Sequence, residues 1–228
     1  MNKVIENPLI SILLSVYNDD KNIKKSIDSI LSQSYKNIEL LVIDDCSTDK
    51  TYEILKEIKD SRIRIFRNKD NLGLTKSLNI LINKSKGQIL ARQDSDDISL
   101  PTRLEVQLNK LYRLQLDGCT TRAYIKNSKR SIPRLSHLLP LSFVIKYKNP
   151  FIHGTLMVWK NVVIDVGMYD ENMEYAQDYK LFIQLLKKNY KIKILKKKLY
   201  VLNMENNISS LRKEEQKDFF RKIQQENL

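Results

Sequence analysis

The chain of 228 residues contains only five glycines, five prolines, two cysteines, two histidines and one tryptophan. Glycine and proline are too sparse for a linker or a low-complexity tract, which argues against disorder away from the termini. Cys46 and Cys119 are too few for a disulfide framework, and no His/Cys spacing suggests a zinc site. No apolar run approaches the roughly 20 residues of a membrane-spanning helix. The amino terminus lacks the charged-then-apolar pattern of a secretory signal, because residues 8–16 already read as a strand. A reducing, cytoplasmic location is therefore the expectation. No internal repeat is visible, and the length suits one large domain or two small ones.

Acidic residues are also in deficit, with 27 Asp+Glu against 40 Lys+Arg and a formal net charge of +13. Such an excess favours anionic partners: phosphorylated substrates, an anionic membrane face or nucleic acid. Much of it falls late, at Lys187, Lys188, Lys191, Lys193 and Lys196-Lys197-Lys198. These residues lack the interleaved aromatic platforms of a nucleic-acid site, so no nucleic-acid partner is expected. Peripheral contact with anionic lipid and a plain solvated surface both remain open.

What is present is a regular alternation. Apolar, β-forming runs at residues 9–16, 38–43, 63–66 and 89–91 alternate with helical stripes at 23–31, 51–58 and 74–82. Ser47 or Thr48 is placed to cap the second helix. This pattern predicts an α/β fold with a mixed, mainly parallel sheet flanked by helices. Residues 104–116 read as an amphipathic helix after Pro101. No structure is assigned to residues 117–150 beyond a helix near 142–147. Strands are expected at 151–159, 192–195 and 199–202, helices at 162–166 and 179–186, and a charged helix at 211–226.

In such sheets ligands bind beyond the carboxyl ends of the strands. That rule gathers Tyr17, Asp44-Asp45 and Asp94-Ser95-Asp96-Asp97 along one edge. Three carboxylates within four positions repel one another unless a cation sits on them. Mg²⁺ or Mn²⁺ would meet that need, sharing carboxylate oxygens with substrate phosphates. An acidic turn capping the next helix is the simpler alternative for the same residues.

Several short motifs, taken together and in order, resemble family 2 glycosyltransferases. They are Ser15-Val16-Tyr17-Asn18, Ser29-Ile30-Leu31-Ser32-Gln33-Ser34-Tyr35, Val42-Ile43-Asp44-Asp45-Cys46-Ser47-Thr48-Asp49, Asn71-Leu72-Gly73-Leu74 and Ala91-Arg92-Gln93-Asp94-Ser95-Asp96-Asp97. Arg103 with Gln107, His153-Gly154 and Gln177-Asp178-Tyr179 follow. The resemblance covers about residues 9–200 and implies the GT-A fold, a Rossmann-like nucleotide-binding architecture. It also implies an inverting enzyme that takes its sugar from a nucleotide sugar.

By that resemblance Asp45 accepts from the base of the nucleotide, UDP being the expected donor carrier, and Ser15, Tyr17 and Asp44 line the base and ribose pocket. Lys76 and Arg92 are candidates beside the diphosphate, with Asp94, Ser95 and Asp96. Asp94 and Asp96 match a D-x-D metal motif for Mn²⁺ or Mg²⁺, with Asp97 a further candidate ligand. Asp178 matches the catalytic base, and His153 and Gln177 fall on the acceptor side. The expected acceptor is a glycan or lipid-linked hydroxyl in surface polysaccharide assembly at the cytoplasmic membrane face.

Domain organisation follows the same pattern. The resemblance implies a glycosyltransferase domain at residues 1–205, with a donor half at 1–100 and an acceptor half at 101–205, and a helical tail is expected at 206–228. Two departures stand out. Gln177 occupies a position commonly held by Glu, and Val201 follows Tyr200 where an Arg is common. They leave a catalytically degenerate nucleotide-binding module as an alternative. A nucleotidyltransferase is the other, though Val16-Tyr17-Asn18-Asp19 is not the glycine-rich phosphate loop that class brings.

Overall fold

A computed structural model describes residues 7–173 and 175–205, together with Phe219, Arg221 and Ile223. The first half runs β1 (Ile10–Val16), α1 (Ile23–Leu31), β2 (Ile38–Asp44), α2 (Thr51–Glu57), β3 (Ile63–Arg67), α3 (Gly73–Lys84) and β4 (Ile89–Arg92). The second runs β5 (Ile98–Ser99), α4 (Arg103–Arg113), β6 (Gly118–Ile125), β7 (Ser131–Ile132), α5 (Leu141–Val144), β8 (Met157–Trp159), α6 (Lys160–Asp165), α7 (Gln177–Lys187) and β9 (Ile192–Leu202). One sheet takes all nine strands in the order β3-β2-β1-β4-β8-β6-β9-β5, with β7 on β6. Strands β1 to β4 are parallel, β8 runs antiparallel between β4 and β6, and β6 and β9 are parallel.

Strand alternation decides which helix lies on which face. Ile10, Ile12, Leu14 and Val16 of β1 join Ile27 and Ile30 of α1, Leu55 of α2 and Leu104, Leu108 and Leu111 of α4. Leu13, from the same strand, instead joins Leu78, Leu81 and Ile82 of α3, Val162 of α6 and Phe182 of α7. The sheet is thus covered on both faces, which is why β1 and β2 are nearly continuous apolar runs. Each fully buried Ile or Leu contributes about 1.5–3 kcal/mol.

The second half departs from expectation in several places. Residues 151–159 form a strand only at Met157–Trp159, because His153–Thr155 turns into a 3-10 helix. The two expected strands at 192–195 and 199–202 are one strand, β9. Its pairing partner shifts from Leu195 opposite Thr121 to Lys198 opposite Arg122, so a bulge at Lys196 and Lys197 absorbs the lysine run. The helix expected at 142–147 is the single turn of α5. Ser47 does not cap α2, since its Oγ accepts the backbone N–H of Asn18 at 2.9 Å and Lys50 takes the cap position. The expected helix at 211–226 lies outside the described residues except for Phe219, Arg221 and Ile223, which are helical.

Candidate active site

The carboxyl ends of β1, β2 and β4 are aligned by hydrogen bonds. Asp45 N–H donates to Val16 O at 2.8 Å, and Gln93 N–H donates to Leu13 O at 3.2 Å. The loop after β1 joins its neighbours. Asn18 and Asp19 N–H donate to Ser47 and Thr51 hydroxyls at 2.9 Å each, and Ser95 Oγ donates to Asp19 Oδ2 at 2.8 Å.

At the end of β2, Asp44 and Asp45 are both buried and both engaged by the chain. Asp44 Oδ2 lies 3.0 Å from Arg67 Nε, and its Oδ1 accepts Ser47 N–H at 3.3 Å. Asp45 Oδ1 accepts Asn68 Nδ2 at 2.6 Å and Leu72 N–H at 2.9 Å, while Oδ2 accepts Gly73 N–H at 2.8 Å. Asp45 therefore caps α3 from a neighbouring strand and fixes the 68–73 loop, where Gly73 has a φ of +82° that disfavours a side chain. Asp45→Ala removes the acceptor for all three donors. A loss of about 2–4 kcal/mol in urea unfolding is expected, with Asp45→Asn recovering part of it. Ser15 is half-buried on β1, Tyr17 is exposed just beyond it, and Lys76 is exposed on α3.

The acidic loop after β4 is organised by two buried arginines. Arg92 Nη2 bonds Asp94 Oδ1, and Nη1 donates to the carbonyls of Leu13 and Gln93 at 2.5 and 3.0 Å. Arg103, at the start of α4, donates from Nη1 to the carbonyls of Arg92 and Gly154 at 2.9 and 3.0 Å and lies 5.5 Å from the Tyr200 ring. Burial lowers its pKa to about 10. Asp94 N–H donates to the Tyr200 hydroxyl at 3.1 Å. Arg92 thus supports the carboxylates from beneath and is itself almost fully buried.

The three acids of the loop are not equivalent. Asp97 is buried, its Oδ1 accepts Asn203 N–H at 2.6 Å, and it hydrogen-bonds the Tyr200 side chain. Burial and the charges of Asp94 and Asp96 push it up to about 9. Asp96 is half-buried and raised to about 6 by desolvation and by Asp94 and Asp19. Asp94 has only Oδ1 held by Arg92, and it keeps a partly exposed carboxylate. Among the described residues no three His, Cys, Asp or Glu side chains form a ready-made metal cluster. The donor set fits an ion held by Asp94 and Asp96 and completed by phosphate oxygens and water, as Mg²⁺ and Mn²⁺ sites with nucleotides commonly are. Asp97 is the least suited of the three, being occupied by Tyr200 and Asn203.

Asp178 lies in the first turn of α7, behind Ala176, which adopts a left-handed φ of 55°. Asn149 Nδ2 donates to Asp178 Oδ2 at 2.7 Å. Burial, with a further contribution from Asp94, raises Asp178 to about 6 against the lowering effect of Tyr179 N–H and Asn149. His153 Nε2 lies 2.7 Å from the Tyr169 hydroxyl, and burial and Arg92 hold its pKa well below the ordinary histidine value. It is therefore neutral. Gln177 is half-buried beside Asp178.

Other residues that hold these aspartates carry little local signal in the sequence. Asp19 left only the signal of a polar break after β1. Tyr200 was noted for its successor rather than its own hydroxyl. Asn149 lies in the stretch that had no legible period.

The family profile "Glycosyl transferase family 2" matches residues 11–173. The protein EpsE of Bacillus subtilis is 38% identical over 157 residues, covering 66% of this chain and 56% of its own length. The O-antigen biosynthesis glycosyltransferase WbnJ of Escherichia coli is 34% identical over 192 residues, covering 78% of this chain and 72% of its own. The crystal structure of S. aureus TarS 1-349 in complex with UDP superposes with a TM-score of 0.73 at 21% identity, covering 86% of this chain and 60% of that one. The likeness to TarS establishes the GT-A type of fold that the family resemblance implies. With aspartates gathered at the strand ends and a profile match over most of its length, this chain belongs to glycosyltransferase family 2.

Proposed function

We propose that the protein transfers a sugar, with inversion, from a UDP-linked donor to a hydroxyl of a glycan or lipid-linked acceptor. The setting we infer is surface-polysaccharide or glycoconjugate assembly at the cytoplasmic membrane face. WbnJ, a relative named for O-antigen biosynthesis, and TarS, a fold neighbour that holds UDP, support this reading. The observation that carries the mechanism is the setting of Asp178, in the first turn of α7 with its Oδ2 held by Asn149 Nδ2 at 2.7 Å, where burial raises its pKa to about 6. A base with that pKa is largely ionised at neutral pH and still basic enough to assist proton transfer.

In this mechanism Asp178 accepts the proton of the acceptor hydroxyl as its oxygen attacks the anomeric carbon from the face opposite the leaving diphosphate. Asn149 aims the carboxylate. Arg92 fixes the rotamer of Asp94, and Tyr200 fixes the backbone of the acidic loop. Ser15, Tyr17 and the loop held by Asp45 line the nucleotide. Mg²⁺ or Mn²⁺ held by Asp94 and Asp96, when bound, would neutralise charge growing on the departing nucleoside diphosphate.

The test is turnover of UDP-sugars with and without acceptor, in chelator and after metal is restored. Removal of divalent metal is expected to lower turnover by about 10²-fold or more, with recovery on adding Mn²⁺ or Mg²⁺. UDP should raise the melting temperature more with metal than without it. Unchanged turnover in chelator would remove the metal from the mechanism. A UDP-induced shift without turnover of any sugar nucleotide would make the chain a binding module.

A further inference from the structure

Between Asp117 and Asp165 the chain has no Asp or Glu and eight Lys or Arg. Within that stretch the 3-10 turn Ser136–Leu138 and helix α5 present a run of apolar side chains to solvent. Leu135, Leu138, Leu139, Phe143 and Tyr147 are 70%, 58%, 53%, 56% and 67% exposed. Single exposed apolar residues are ordinary, whereas five within 13 positions form a patch. The Phe143 and Tyr147 rings touch, with centroids 5.2 Å apart, and α5 packs against the 3-10 turn. Arg130, Arg134, Lys146 and Lys148, all exposed, flank the patch along the chain. Strand β9, which carries Lys196, Lys197 and Lys198, also packs against the 3-10 turn.

The patch is anchored to the catalytic region. Val144 and Ile145 are buried beneath it, and Tyr179 Oη donates to Ile145 O at 2.7 Å, one residue from Asp178. Two residues after Tyr147, Asn149 bonds Asp178 itself. An apolar surface flanked along the chain by cations, in a stretch of 47 residues with no carboxylate, is complementary to the headgroup boundary of an anionic bilayer.

We propose that residues 135–148 form a docking surface for an anionic lipid bilayer, with Leu135, Leu138, Leu139, Phe143 and Tyr147 entering the interface and the flanking Arg and Lys side chains meeting lipid phosphates. Docked this way, the protein holds Asp178 close to the membrane, where a lipid-linked hydroxyl would be presented. That last step rests on the glycosyltransferase reading above, whereas the lipid binding does not.

Sedimentation of the full chain with phosphatidylglycerol-containing vesicles, against pure phosphatidylcholine, tests the surface. Wild type is expected to partition onto the anionic vesicles and to be partly released as salt rises from about 0.1 to about 0.5 M. The combined L138S, L139S and F143S variant should bind about tenfold or more weakly, and should keep its UDP-sugar hydrolysis in the absence of vesicles. A Phe143→Trp variant gives an independent reading, a blue-shifted emission on anionic vesicles. Absence of wild-type binding, equal binding to neutral vesicles, or full binding by the triple variant overturns the proposal. So does a wild-type dimer that the triple variant loses, with no vesicle binding by either, since a second copy would then be the occupant. Vesicle binding by the wild type that the triple variant loses, in a chain that hydrolyses no donor, would leave the docking surface standing and sink the transferase mechanism instead.

Discussion

Asp178→Asn is expected to lower kcat by about 10²–10⁴-fold, the range for losing a positioned general base. The KM for the nucleotide sugar should hardly move, because the proposed mechanism sets Asp178 against the acceptor hydroxyl and not the nucleotide. Asparagine keeps the shape of the side chain and an oxygen for Asn149 Nδ2, so the defect is one of proton transfer and not of position. In the wild type, kcat/KM should rise with pH through about 6, where Asp178 loses its proton, and level off above. The same variant should be more stable at neutral pH. Below pH 4 the carboxyl is protonated whether the chain is folded or unfolded. Between about pH 4 and pH 6 only the folded chain holds that proton, so the stability contributed by this group falls as pH rises through the window and is flat above it. Removing the charge therefore gains about 1–2 kcal/mol at pH 7 for a half-buried group, about 2–6 °C in Tm. Steady-state kinetics and calorimetry on one preparation check both signs. A kcat within about threefold of wild type would eliminate Asp178 as the base.

The second large effect is predicted for Gly154→Ala, far from any nucleotide-contacting motif in the sequence. A Cβ at residue 154 would collide with Asp94 Oδ2 and would sit 2.5 Å from the Tyr200 hydroxyl. Neither can yield cheaply. Asp94 is pinned through Arg92, and Tyr200 is fully buried between Asp94 N–H and the face of Arg103. Overpacking of this kind costs about 1–3 kcal/mol. Displacing Asp94 by even an ångström should lower kcat/KM by about 10²-fold. A folded Gly154→Ala protein with wild-type kinetics would show that the position of Asp94 is not critical.

The comparison of sequence with structure divides at about residue 100. Before it, strands buried on both faces and helices with a single apolar stripe have distinct periods, so β1 to β4 and α1 to α3 fall within a few residues of their expected bounds. After it α4, α6 and α7 still follow their apolar stripes, but the strands and the 135–147 stretch depart for particular reasons. Gly154 O turns to Arg103, which replaces most of an expected strand by a 3-10 turn. The Lys196 to Lys198 run looks like a break in β9 but is accommodated by a bulge. Leu135, Leu138, Leu139 and Phe143 are apolar without being core, so no amphipathic pattern could place them. Asp44, Asp45 and Asp94 to Asp97 were legible because they stand at strand ends, whereas Asp178 rested on the family resemblance. Their partners were not, since nothing local in Asn149, Asn203 or Tyr200 indicates that it will meet an aspartate.

The contacts of Tyr200 and Asn203 with the acidic loop carry a consequence for biosynthesis. Each spans 106 positions along the chain. At a translation rate of about 5–20 residues per second, the acidic loop waits about 5–20 s after synthesis before its clasp exists. Until then Asp94, Asp96 and Asp97 are three neighbouring carboxylates without Tyr200 or the β5–β9 pairing to hold them. β1 to β3 precede the acidic loop in synthesis, but that loop can be clasped only after residue 203 leaves the ribosome. Ribosome-bound chains halted before that point should accordingly gain nucleotide protection only when the missing strand is supplied.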